Sequence, residues 1–477
     1  MTRSLVTFRF YKRASTLQVS KLEKQMGIEV YATHSAGIGG IIRENVEDFI
    51  VEEILVDGSK AHIDTSNTSA AHQVLGCSMV KSRYLLCIMI KRNWDTLAAI
   101  KNIAAQLSIR MEKIHIGGIK DAKALTAQHL TIEDISTEQI DRIHVKDIVI
   151  RPLGYCRNKV SAYYLLGNGF RIHIKAIDHS EKVINKTIIE TVGQLADLGG
   201  IPNFFGHQRF GTIRPITHLV GKTIIKKNFK KATMLFLARP SIYEHPSSRR
   251  VRRELQATQD FEQALKTFPK QLRYERCMLR HLANHQDDFA GAFRTLPFKL
   301  RVMFIQAYES YLFNKFLSRR IETRLPLRIS EVGDYVVAVE RSGLAMPTIN
   351  RVVNLENRTE INNSIQAGKT RLAIPLIGFK QPLSRGVQGE IEKQILETEN
   401  VSPADFKIPN MPEISTRGSF RTATTPVNSF SMDEAQYDSK RPKSHDVAVS
   451  FTLYRGSYAT VLLREIMKPR DIVKQGF

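Results

Sequence analysis

An alternating pattern set up early in the chain returns near its other end, and the stretch between reads differently. "EDFIVEEILVDG", from Glu47, alternates apolar and acidic residues as a half-buried strand does. Far downstream, Val447, Val449, Phe451 and Leu453 restore the period of two ahead of a final helix around "ATVLLREIMK". Strand-forming ends around a helix-rich middle constrain the fold to an α+β domain interrupted by an inserted domain.

The segments between support that organisation. "YLLCIMIK" reads as a buried strand, and "WDTLAAIKNIAAQLSI" places Leu97, Ile100, Ile103 and Leu107 on one helical face. "KIHIGG" is a short strand ending in glycines. "FRIHIKA" puts Phe170, Ile172 and Ile174 on one face and Arg171, His173 and Lys175 on the other. "SEKVINKTIIETVGQLADLGG" is an amphipathic helix stopped by Gly199 and Gly200, with Pro202 beyond. After about residue 212 the helical patterns lengthen, as in "FIQAYESYLFNKFLSRRIE", and the basic clusters "KKNFKK" and "RRVRR" appear. Arg417 to Asp446 is polar and reads as a long loop. The expected division is a basic N-terminal extension over 1–36, a first part of the main domain over 37–211, the insert over 212–415, and a closing part over 416–477.

Charge narrows the partners. Lys and Arg total 70 against 47 for Asp and Glu, a formal charge of +23 over 477 residues. A surplus of this size points to a polyanion, because neutralising phosphates releases condensed counterions. A lysine-rich solubilising surface would carry the same surplus. No apolar run is long enough to span a bilayer, and no basic anchor helix stands out. The four cysteines form no CxxC pair and read as reduced. "MTRSLVTFRFYKRAST" holds no acidic residue and has the composition of a transit peptide or an ordinary basic extension. The expected compartment is the cytoplasm.

Several motifs fail on inspection. Gly221-Lys222-Thr223 ends like a phosphate-binding loop, but the upstream glycine position is Ile216. "GIGG" at 37–40 is too short to carry weight. No metal-ligand spacing and no nucleophile elbow is present. Two stretches survive. "GGIKDAKALTAQ" (117–128) places Lys120 and Asp121 after two glycines, where Asp121 is either a helix N-cap or a reactive carboxylate. "IPNFFGHQRFG" (201–211) sets Phe204 and Phe205 among Asn203, Gln208 and Arg209, which suits either RNA contact or a packed turn.

Together these stretches resemble the TruD family of tRNA pseudouridine synthases, in its archaeal and eukaryotic branch. Gly118, Lys120, Asp121, Ala124, Thr126 and Gln128 match one signature of that family, and "PNFFGHQRFG" is similar to a second. "EDFIVEE", "LGNGF" (166–170), "QAYESYLFN" and "GSYATVLLRE" resemble further blocks in the same order. The resemblance runs from about residue 37 to the C-terminus.

It implies a pseudouridine-synthase catalytic domain with a mixed or antiparallel sheet, interrupted by an α+β TRUD domain. It further implies an isomerase that acts on tRNA, at uridine 13 of the D arm, without cofactor or metal. Asp121 corresponds to the catalytic aspartate. Arg43 stands where the family has a lysine, a change that keeps the charge but alters reach. Phe49 corresponds to the aromatic that stacks on the flipped base, and Asn168 and Phe170 to pocket positions. Lys120, Gln208 and Arg209 are candidate RNA contacts, and Ala122 departs from a basic residue common in the family. Read without the family, Phe49 could be core, Asn168-Gly169 a hairpin turn, and Lys120 a solvated charge. A non-catalytic RNA-binding protein of the same fold is the competing reading, and a monomer is expected.

Overall fold

The computed structural model describes residues 18–64, 74–438 and 440–477; the transit-like first sixteen residues lie outside them. The early alternation is strand β1, Phe49–Leu55, with Phe49, Val51, Glu53 and Leu55 all buried. It is followed by β2 (Tyr84–Arg92), β3 (Ile114–Ile116), β4 (Leu125–Glu133), β5 (Ile148–Cys156) and β6 (Leu165–Ile177). With three later strands they form a nine-stranded sheet ordered Asn428–Met432, Arg441–Tyr454, β6, β1, β4, β2, β5. Gln436–Asp438 adds beside Arg441–Tyr454, and β3 beside β4.

The β1–β4 pair is parallel, and β6 runs antiparallel to β1. Arg441–Tyr454 pairs with β6, setting Phe451 opposite Phe170 and Leu453 opposite Asn168. The late alternation thus completes the sheet begun by the early one. Because β1 and β4 are interior strands, the polar residues Glu53, Thr126, Gln128 and His129 are removed from water and must find partners.

The middle of the chain is mostly helical. A second, four-stranded sheet is ordered Ser419–Thr422, Thr370–Leu376, Tyr335–Val339, Ala345–Val352. Its first strand lies beyond residue 415. The long helix Phe298–Glu322 packs on Thr217–Ile225. There Gly221 lets the two backbones meet, since a β-carbon would stand 2.0 Å from the Phe304 carbonyl oxygen. The rejected Gly-Lys-Thr motif is therefore a packing contact, and Lys222 pairs with Glu399 at 2.6 Å. One apolar core joins Ile172 and Val449 of the large sheet to Phe204, Phe210, Phe304 and Phe313.

Three expectations are corrected. Arg417 to Asp446 is not a loop but contains Ser419–Thr422, Asn428–Met432 and Gln436–Asp438, short strands at sheet edges. Residues 18–36 are not an appendage. Glu23 is fully buried, 2.8 Å from Arg464 of the C-terminal helix Ala459–Met467; burial raises its carboxyl, but Arg464 and His207 outweigh that and hold it at about 2. Leu97, expected on the buried helix face, is 47% exposed because Thr96–Gln106 turns Ala99, Ile100 and Ile103 inward instead. "GIGG" caps that same C-terminal helix, with the Ile38 and Gly39 N–H groups donating to Ile466 and Met467 carbonyls at 3.0 Å.

Candidate active site

Asp121 sits in the segment between β3 and β4, and a strand follows it rather than a helix, so it caps nothing. Its side chain is 31% exposed and meets the Arg43 guanidinium, 7% exposed, at 3.0 Å. Arg43 takes a left-handed backbone (φ 58°), a conformation that costs a non-glycine roughly 1–3 kcal/mol and recurs at functional sites. A second Arg43 nitrogen donates to the Gly476 carbonyl at 3.1 Å. Burial pushes its guanidinium pKa down, and the Asp121 carboxylate pulls it back up.

The guanidinium also lies 3.9 Å from the centre of the Phe49 ring. Phe49 is 1% exposed and meets Phe170 edge-on, ring centres 6.3 Å apart; Phe170 stacks on Phe451 at 5.3 Å. These aromatics come from adjacent strands, so sheet register places them. Phe49 is therefore core in the free protein, and its covered face is occupied by Arg43.

A second chain of contacts runs beneath. Lys120 Nζ lies 2.6 Å from Glu53 Oε2 and donates to Asn168 Oδ1 at 2.8 Å. Glu53 and Asn168 are register partners across β1 and β6. Asn168 is thus in a strand interior, not a hairpin turn, and Lys120 is not a solvated charge. The His129 main-chain N–H donates to Glu53 Oε1 at 3.1 Å. Burial raises the Glu53 carboxyl, while His129 and Lys120 bring it below the ordinary carboxylate value. The Lys120 N–H donates to Thr96 Oγ1 at 3.1 Å, and Gln128 Nε2 to the Gly118 carbonyl at 3.0 Å. Neither Gly117 nor Gly118 has positive φ, and a β-carbon on either would meet nothing nearer than 3.5 Å; packing alone does not require glycine there.

Gln208 and Arg209 are held elsewhere. Gln208 accepts from Thr460 at 3.4 Å, and Arg209 donates to Ser310 at 3.1 Å. Phe204 and Phe205 are buried, Phe205 beneath Arg421 at 4.0 Å from its ring centre. The basic strand face is partly neutralised, Arg171 by Asp433 at 2.7 Å and Lys175 by Asp48 at 2.6 Å. In the "RRVRR" cluster, Arg252 is buried between Glu244 and Glu275, at 3.0 and 2.7 Å. Sequence reasoning missed Lys91, Glu53 and His129. A lysine closing an otherwise apolar strand was the available signal for the first.

Among the described residues no group of His, Cys, Asp or Glu could hold a metal ion, and no helix is long and apolar enough to cross a membrane.

A family profile described as tRNA pseudouridine synthase D (TruD) matches residues 25–466. The chain belongs to the TruD family of tRNA pseudouridine synthases. It is 36% identical over 452 residues to a Methanosarcina mazei protein named "Probable tRNA pseudouridine synthase D", covering 95% of this chain and 98% of that one. An Archaeoglobus fulgidus protein of the same name is 34% identical over 448 residues, covering 94% and 99%. A Methanosarcina mazei crystal structure assigned to TruD superposes with a TM-score of 0.78 at 36% identity, covering 94% of this chain and 98% of that one. The α+β fold expected from the alternating ends is the fold of that TruD structure. The family match begins inside the segment expected as an extension, in keeping with the burial of Glu23.

Proposed function

We propose that the chain isomerises uridine to pseudouridine in tRNA, at uridine 13 of the D arm, with Asp121 as the catalytic carboxylate and without a cofactor. The observation that carries this reading is the Arg43–Asp121 pair, a reachable carboxylate held on a buried guanidinium. An opposite charge at 3.0 Å favours the ionised carboxylate, the form able to attack the nucleotide or assist glycosidic cleavage. A binding-only role leaves that arrangement without a use, because burying Arg43 costs stability that an RNA surface could avoid.

Around this pair, Phe49, Phe170 and Asn168 frame the base, and Lys120 orients Asn168. A base stacking on the Arg43-covered face of Phe49 requires the guanidinium to slide aside, so Arg43 both holds Asp121 and guards the ring. The glycines at 117 and 118 leave room for an RNA backbone. The formal charge of +23 suits tRNA as substrate, and exposed Lys227, Lys231, Arg250 and Arg253 supply phosphate contacts from the insert, which closes over the RNA. The enzyme acts as a cytoplasmic monomer. The test is to map pseudouridine in tRNA from cells with and without the gene. Loss at position 13 on deletion supports the proposal, and an unchanged tRNA map overturns it.

A further inference from the structure

Lys91 closes the apolar run of β2, yet its side chain is fully buried. Buried lysines usually pair with a carboxylate, because an uncompensated ammonium in the interior is costly. Among the described residues Lys91 makes no ion pair; its ammonium donates instead to two main-chain carbonyls, those of Trp94 and Asp121, each at 2.7 Å. Trp94 precedes the helix Thr96–Gln106, and Asp121 lies in the segment that precedes β4, so one side chain ties two connections together. The residue before Asp121 is fixed as well, since Thr96 Oγ1 bonds both the N–H and the carbonyl of Lys120.

We propose that Lys91 is a positioning residue for Asp121: it fixes the main chain that carries the carboxylate, while Arg43 fixes the carboxylate itself, and its charge adds to the positive surroundings of the site. This rests on Asp121 being the reactive group. A merely structural occupant of this position would be more stable as an apolar side chain, which avoids the desolvation cost. A misplacement of about 1 Å in a catalytic group can cost on the order of 10²-fold in rate, which gives the carbonyl clamp its use.

The charge state of Lys91 supplies a readout. Burial pushes its pKa down to about 8, the Asp121 and Asp95 carboxylates pulling it up and the Lys120 ammonium pushing it down. Arg43 faces the same site through Asp121. As pH rises through about 8, Lys91 loses its charge, its two hydrogen bonds weaken, and the rate should fall. Stability should move the other way. The unfolded lysine still binds its proton where the folded one has released it, so this group's contribution to stability rises between about 8 and 10.5.

The experiment measures single-turnover pseudouridine formation at saturating unmodified tRNA, tRNA affinity and thermal unfolding, across that pH range. Wild type, Lys91→Met, Lys91→Arg and Asp121→Asn are compared. The expected result is a wild-type rate that declines through about pH 8 while tRNA affinity holds. Lys91→Met should lose roughly 10- to 100-fold in saturating rate with near-normal affinity and no such decline, and Lys91→Arg should recover part of the loss. A folded Lys91→Met with the wild-type rate and pH profile overturns the proposal, provided Asp121→Asn is inactive. An active Asp121→Asn instead overturns the catalytic reading beneath it. If Lys91→Met fails to fold, the wild-type profile decides: a rate that stays level through that range overturns the proposal.

Discussion

The Arg43 guanidinium covers the Phe49 ring at 3.9 Å from its centre, so one cation serves both the candidate nucleophile and the candidate stacking aromatic. Arg43→Lys keeps the charge but loses the planar group that spans Asp121, Phe49 and the Gly476 carbonyl. It should lower the saturating rate about 10-fold or more, in line with the loss of orientation, with tRNA affinity little changed. Single-turnover assays on both proteins check this. Equal rates would mean that the charge alone suffices.

Phe49 is core as well as a candidate base platform. Phe49→Ala should cost about 3–5 kcal/mol of stability, the usual range for emptying a buried aromatic position. Phe49→Leu keeps most of the volume and should remain folded while losing the cation–π contact and the stacking surface. Thermal unfolding alongside single-turnover rates separates the two effects. A folded Phe49→Leu with unimpaired rate would confine Phe49 to packing.

Much of this site was legible in the sequence, but unevenly. Asp121 stood out because a charged pair after two glycines broke an apolar run, and the family signature gave it a role. Lys91, Glu53 and His129 did not stand out, because a lone polar residue within a strand pattern looks solvent-facing until the strand is known to be interior. Phe204, Phe205 and Arg209 suited either an RNA contact or a packed turn; the two rings are core and the arginine braces the long helix. Local sequence shows which groups are adjacent along the chain; it does not show which face a neighbouring strand covers. The same gap explains why 417–446 read as a loop: its strands are short and polar, and Ser419–Thr422 and Asn428–Met432 pair with strands from which other elements separate them along the chain.

The Glu53–Lys120 pair predicts a pH dependence of stability. The folded Glu53 carboxyl is held below its ordinary value, so its contribution is present above about 4.5 and is lost as pH falls through the folded value. Glu53→Gln leaves the buried Lys120 ammonium without its counter-charge and should destabilise by about 3–5 kcal/mol. The variant should also show a shallower loss of melting temperature on acidification. An identical acid profile in both proteins would remove Glu53 from that account.

The arginine cluster at 249–253 should divide by burial. Arg252→Ala breaks two ion pairs and should lower the melting temperature without altering the salt dependence of tRNA binding. Neutralising Arg249, Arg250 and Arg253 should leave stability within about 0.5 kcal/mol per site. It should flatten the salt dependence by up to about one unit of slope for each phosphate no longer neutralised. Affinity titrations at several salt concentrations decide it, and an unchanged slope would place these arginines in bulk solvent.

The most direct measurement is pseudouridine formation at uridine 13 by Asp121→Asn at saturating tRNA. The amide is nearly isosteric and can still accept a hydrogen bond from Arg43, but it can act neither as nucleophile nor as base. The predicted result is no detectable pseudouridine with tRNA affinity close to wild type, alongside a lowered melting temperature because the buried Arg43 guanidinium loses its counter-charge. Pseudouridine forming at the wild-type rate would contradict the assignment of Asp121 as the catalytic carboxylate.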